Sequence, residues 1–339
     1  MSDLQISWTK ETLEFIKSAK TSRGEYHDKN VVLINLKQGN KKGIGEASPL
    51  PDLSMDGQLD LEIALNEVQS KIYNGTSIKE ILLSLDNFPS VQFALECAWL
   101  QLQASGEEIF STDFTKGISS IPINGLVWMD EISAMEAEML KKVQEGFRCI
   151  KIKVGQHDHD AECRFLEKIR KSWNAFKLEL RLDANGAFSM EDSKNKIRDF
   201  SRFEIHSLEQ PIRAGQWDYM AEICADSKIP VALDEELIGV KTEMAEKLLR
   251  WIQPAFIILK PTLLGGFSKC DTWIQGAQKN NIGWWATSAL ESNVGLGHIA
   301  QWVSTKSVKM YQGLGTGALY KNNFPSHLQL IKDEIWYRS

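Results

Sequence analysis

The rhythm of hydrophobic and polar positions changes near Ile121. Before it, residues 4–8 and 31–36 alternate or run apolar between polar stretches, the pattern of strands. Residues 43–57 (GIGEASPLPDLSMDG) carry three glycines and two prolines, which predicts a strand end followed by an irregular loop. Helical spacing then covers 59–73 and 90–102, the second introduced by Pro89-Ser90. Strands followed by helices predict an α+β segment over residues 1–120.

Beyond Ile121, short apolar runs alternate with amphipathic stretches. The runs predict strands over 121–127, 149–154, 178–182, 205–208, 231–233, 256–259, 282–286 and 309–311. Helical spacing fills the gaps, for example over 132–144, 161–173 and 243–249. Eight strands joined by helices predict parallel βαβ units closing into a barrel over 121–320. The tail, 321–339, ends in another strand-like piece, expected to pack back on the N-terminal segment.

The strand ends carry a stronger signal. They finish in Lys153, Asp183, Glu209, Asp234, Lys260, Ser288 and Gly315, separated by 30, 26, 25, 26, 28 and 27 residues. Each separation is about one β/α unit. The C-terminal ends of barrel strands all point at one mouth, so these residues are expected to converge there.

Three of them, on consecutive strands, are carboxylates: Asp183 in LRLDANGAF, Glu209 in HSLEQP and Asp234 in VALDEE. Buried acids in a row repel one another and raise each other's pKa. A divalent cation resolves the conflict, and a set of hard oxygen donors suits Mg²⁺ better than Zn²⁺. Taken singly, each acid could instead cap the helix that follows it. Lys151 and Lys153 in CIKIKVG share one strand face, and Lys260 in FIILKP ends a strand roughly across the barrel. Lysines inside apolar strands need anionic partners. A metal and neighbouring ammonium groups would draw a lysine pKa toward neutrality, as a general base requires. Arg181 and Asn185 share the strand face of Asp183 and are expected to support it.

KIK, DANGAF, LEQP, LDEE and LKP, in this order and spacing, resemble the enolase superfamily, most closely its muconate-lactonising-enzyme-like subgroup. The resemblance spans nearly the whole chain. It implies a modified TIM barrel, (β/α)7β, behind an N-terminal α+β capping domain, with 43–57 as the loop that closes over substrate. Residues 287–302 (TSALESNVGLGHIAQW) and 313–326 (GLGTGALYKNNFPS) resemble the o-succinylbenzoate synthase family, with 21–24 (TSRG) as minor support. That family's reaction, on the menaquinone pathway, is a syn dehydration of a succinyl-bearing hydroxycyclohexadiene carboxylate. The resemblance implies Asp183, Glu209 and Asp234 as Mg²⁺ ligands, with Mn²⁺ tolerated. It implies Lys153 as base and then acid, Lys260 as enediolate stabiliser, and Lys151 near the metal-bound carboxylate. Ser288, Gly315 and Thr316 would hold the remaining carboxylates of a small dicarboxylate substrate. Dipeptide epimerases of the subgroup usually carry an acidic Asp-x-Asp on the last strand. Here that place reads Leu314-Gly315-Thr316-Gly317 and has no carboxylate.

Composition bounds these readings. The 339 residues exceed the roughly 250 of a bare barrel, leaving a surplus that a lid would use. With 39 basic and 45 acidic residues, the net charge of −6 is a poor match for nucleic acid or an anionic membrane. Five dispersed cysteines without a CxxC, no apolar leader and no long apolar run predict a cytoplasmic protein with reduced thiols. His157-Asp158-His159-Asp160 reads as a solvated helix start, and His206 as a packed histidine. The rival activities are N-acylamino acid racemisation or dipeptide epimerisation on the same lysines, and a Schiff-base aldolase on Lys260.

Overall fold

The computed structural model describes residues 3–21, 24–307 and 309–338. Of the TSRG stretch, Ser22 and Arg23 lie outside the described residues. Strands β1 (Leu4–Thr21), β2 (Gly24–Gln38) and β3 (Lys41–Ala47) form an antiparallel sheet in that order. β1 and β2 run well past the short apolar stretches that announce them, because their outer polar residues still pair, from Leu4↔Gln38 to Glu14↔Asp28 and, after a shift of register, from Ala19↔Tyr26 to Thr21↔Gly24. The two faces of β2 bury different partners. Val32, Ile34 and Leu36 join Leu65, Val68 and Ala94 of helices Leu61–Tyr73 and Pro89–Ala104. Val31 packs instead with Leu50, Leu263 and Leu290, at the barrel mouth. Period-2 alternation thus sandwiches the strand between its own helices and the barrel.

β3 lies backbone-to-backbone on helix Pro89–Ala104. A Cβ on Gly45 would stand 1.8 Å from the carbonyl oxygen of Ala94, and one on Gly43 1.9 Å from that of Ala98. Neither backbone atom can swing aside, so Gly45→Ala should cost about 3 kcal/mol or more, read as a lower urea midpoint at unchanged m-value.

The barrel strands are β5 (Gly125–Val127), β6 (Cys149–Lys153), β7 (Glu179–Asp183), β8 (Ser207–Glu209), β9 (Val231–Leu233), β10 (Phe256–Leu259) and β11 (Gly283–Ala286). They form one parallel sheet ordered β11-β10-β9-β8-β7-β6-β5. The eighth position differs from expectation. Residues 309–311 form no strand, and single parallel bridges Ile123↔Gln312 and Thr287↔Gly313 close the sheet instead. The carbonyl of Tyr311 is taken by the Arg181 guanidinium, and Gly313 sits so close to Thr287 that a Cβ would meet its hydroxyl at 2.4 Å.

The apolar run 121–127 also divides. β4 (Ser120–Pro122) pairs antiparallel with β13 (Glu334–Tyr337), which pairs with β12 (Leu328–Ile331), at the N-terminal end of the barrel. The tail reaches β1 only at its start, where the Lys321 amide donates to the Glu14 carbonyl at 2.9 Å. Among the described residues, no helix is long and apolar enough to cross a membrane.

Candidate active site

The parallel register sets the mouth. Lys153 pairs with Asp183, and Asp183 with Glu209, so three charged residues stand at one level on β6, β7 and β8. Glu209 pairs with Ala232, which leaves Asp234 two residues further on, at the end of β9. This stagger is the shear of a closed barrel. Lys260 follows β10, four positions round from β6, and so faces Lys153 across the mouth.

All three predicted acids are buried, between 0% and 2% exposed. The Lys151 Nζ donates to Asp183 at 2.9 Å and to both oxygens of Glu209 at 3.1 Å. The Lys153 Nζ donates to Asp183 at 2.6 Å and to the Asn185 Oδ1 at 2.7 Å, and Lys260 binds Asp234. A fourth buried carboxylate, Glu235, accepts from Asn185 at 3.1 Å. Four acids therefore share three ammonium groups.

The charges shift one another. Burial pushes the Asp183 pKa up, but Lys151 and Lys153 override it and hold it well below the usual carboxylate range. Burial, then the Asp183 charge, pushes Glu209 well above that range. At Lys260 burial lowers the pKa, yet Asp234, Glu209 and Glu235 outweigh it and the net shift is upward. The nearest charges are carboxylates, and they dominate over ammonium groups further off.

The donor set fits a hard divalent cation: the acids are buried, oxygen-only and in excess of the lysines. Among the described residues, no three His, Cys, Asp or Glu side chains yet gather round one point. Lys151 instead spans Asp183 and Glu209.

A cavity of about 600 Å³ takes in this mouth and extends past it to Phe147, Leu330 and Lys332. Lys151, Lys153, Lys260, Asn185, Ser288, Gly315 and Thr316 line it, with Trp128 on one wall and Tyr26, Leu50 and Leu53 supplied by the N-terminal segment. The volume suits a small organic ligand. Ser288 donates to Glu291, so toward Thr316, at 2.7 Å, it accepts, and both hydroxyl protons are committed within the protein. Gly315 opens the short turn Gly315–Ala318, beside Asn124.

Arg181 is a correction. It is 1% exposed, two residues below Asp183, and reaches none of the site carboxylates. Its Nε donates to Glu179 at 2.8 Å, its Nη1 to the Tyr311 carbonyl at 2.9 Å, and it stacks on Trp285 at 4.3 Å. Two residues along a strand are about 7 Å, one side-chain layer deeper in the barrel. Asn185, by contrast, does join the site. Asp158 caps helix His159–Ser172, and His206 stacks on Phe256, as expected of both. Sequence reasoning gave no role to Glu235, Glu291 or Lys29. The two glutamates stood in quoted motifs, but Lys29, in a polar stretch of β2, carried no signal.

The enolase C-terminal domain-like family matches residues 134–332, more than half the chain, and the MenC N-terminal domain matches residues 22–102. The chain belongs to the enolase superfamily. An o-succinylbenzoate synthase of Desulfotalea psychrophila is 42% identical to it, over 97% of each chain. The crystal structure of MenC from the same organism superposes on this enolase-superfamily member with a TM-score of 0.87, at 37% identity, covering 98% of this chain and 99% of that one. The L-Ala-D/L-Glu epimerase of Bacillus subtilis shares the fold, with a TM-score of 0.83 over 99% of this chain and 96% of its own, at 20% identity. The capped, modified TIM barrel expected from the sequence is thus the fold of its relatives.

Proposed function

We propose that this chain is an o-succinylbenzoate synthase, a hydro-lyase of menaquinone biosynthesis. It would convert 2-succinyl-6-hydroxy-2,4-cyclohexadiene-1-carboxylate to o-succinylbenzoate and water. The observation that carries the reading is the full-length match, 42% identical across both cap and barrel, to a curated o-succinylbenzoate synthase. Geometry supports it: two lysines face one another across a mouth floored by carboxylates.

In this reading Lys153 takes the proton α to the ring carboxylate, and the electrons move into that carboxylate as an enediolate. The same nitrogen, now an ammonium, gives its proton to the C6 hydroxyl, which leaves as water from the same face. Lys260 stays protonated opposite and stabilises the negative charge. Asn185 holds the Lys153 amine in place through its side-chain oxygen. Asp183, Glu209 and Asp234 would hold Mg²⁺ or Mn²⁺, which supplies positive charge against the enediolate when bound. Residues 121–320 would do the chemistry and 1–120 would form the lid that excludes water, while β12 and β13 of the tail lie at the opposite end of the barrel.

The direct test follows the aromatic product by absorbance, with N-acylamino acids and dipeptides assayed in parallel. Turnover of the diene is expected, and its absence beside racemisation would reject the reading. Treatment with EDTA should abolish activity, and added Mg²⁺ or Mn²⁺ should restore it; activity untouched by chelation would remove the metal from this account. Two lysines on opposite faces also suit two-base racemisation. Deuterium exchange at an amino-acid α-carbon would reveal that as a side activity.

A further inference from the structure

Two buried charges reach from the N-terminal sheet into the barrel: Glu46 of β3 accepts from Ser292 and from the Gly295 amide at 2.8 Å, and Lys29 meets the turn before them. Lys29 of β2 is 5% exposed, and its Nζ donates to the carbonyls of Ala289 and Leu290 at 2.6 and 2.9 Å. These residues form the turn after β11 that begins with Ser288. Leu290 has φ +65°, a left-handed conformation that leucine rarely adopts. The Tyr320 hydroxyl donates to the same Leu290 carbonyl at 2.7 Å, and the Leu290 amide donates to the Ser288 Oγ at 3.0 Å. Glu291, fully buried, accepts from the Ala289 amide at 2.7 Å, from Ser288, and from Thr262, two residues past Lys260.

We propose that Lys29 is a positioning residue for substrate recognition. From the cap it holds Leu290 in its strained conformation and balances the charge of Glu291. It thereby fixes the Ser288–Glu291 turn against the cavity and against the strand end that bears Lys260. Docking of the cap and shaping of this wall then become one event. Burial lowers the Lys29 pKa to about 8, although Glu291 and Glu46 pull it upward. An ammonium kept there at such a cost does more than fill space, which an apolar side chain would do more cheaply.

The proposal rests on the synthase reading for its kinetics but not for its structural arm. In full-length protein, Lys29→Met should raise KM for the diene about tenfold, with kcat changed less than about threefold, and Lys29→Arg should recover most of the loss. Hydrogen exchange at the Ala289 and Leu290 amides should quicken about tenfold in Lys29→Met while helices elsewhere keep their protection. Glu291→Gln, which keeps the shape of the side chain, should reproduce the KM shift if Lys29→Met folds poorly. Unchanged exchange at the turn, or an unchanged KM in both variants, overturns the proposal. An equal fall in kcat and kcat/KM does so too. Wild-type protein that binds but never dehydrates the diene would reject the synthase reading instead, leaving the exchange result to decide on Lys29.

Discussion

Replacing Lys153 with alanine should lower turnover of the diene at least ~10⁴-fold, equivalent to about 5.4 kcal/mol of transition-state stabilisation. The loss is large because one nitrogen serves as base and then acid, and both steps vanish together. The fold should survive. Lys153 stands at the strand end, 9% exposed, with its side chain toward the cavity, and its removal frees Asp183 to keep its bond from Lys151. Circular dichroism should match wild type while product absorbance stays flat. Residual turnover above about one part in a hundred would show that Lys153 is not the base. Lys260→Ala should be damaging but milder, since it removes charge stabilisation and leaves proton transfer possible.

Glu209→Gln should separate activity from stability. Four buried carboxylates share three ammonium groups, and at Glu209 burial and the neighbouring Asp183 charge disfavour the ionised form. A folded pKa raised above the unfolded value means that the folded state binds the extra proton. This contribution to stability is present below the unfolded glutamate pKa and fades as pH rises toward the folded one. Glutamine mimics the protonated acid at every pH. In EDTA, the variant is therefore expected to melt higher than wild type at pH 8, with the gap closing as pH falls below the glutamate range. Activity with Mg²⁺ should drop by about 10³-fold, because a charged oxygen donor is gone. Wild-type melting should rise on adding Mg²⁺, and that of the variant much less. A variant that melts lower than wild type in EDTA at pH 8 would contradict the charge argument.

Much of the site was legible in one dimension because a barrel converts sequence period into spatial convergence. Lys153, Asp183, Glu209, Asp234 and Lys260 each follow an apolar run at intervals of one β/α unit, and parallel strands deliver them to one mouth. Arg181 shows the limit of that logic. It lies on the same strand face as Asp183, yet one layer lower, where length and a stacking partner carry it to Tyr311 and Trp285. The eighth strand shows another. Lys309-Met310-Tyr311 stands where an eighth strand is expected, but closure fell to Gln312 and Gly313, chosen by the fit of glycine against Thr287.

The pattern of residues by itself determined seven of the barrel strands, the α+β segment ahead of them and the acids and lysines at the mouth, since each depends on local periodicity and chain direction. Tertiary structure alone decided which ammonium meets which carboxylate and which way the Ser288 and Thr316 protons point. It also decided that Lys29, distant in sequence, is buried against Leu290. Those outcomes follow from long-range packing of cap on barrel, where a few ångströms set the sign of an interaction and no local spacing records the distance.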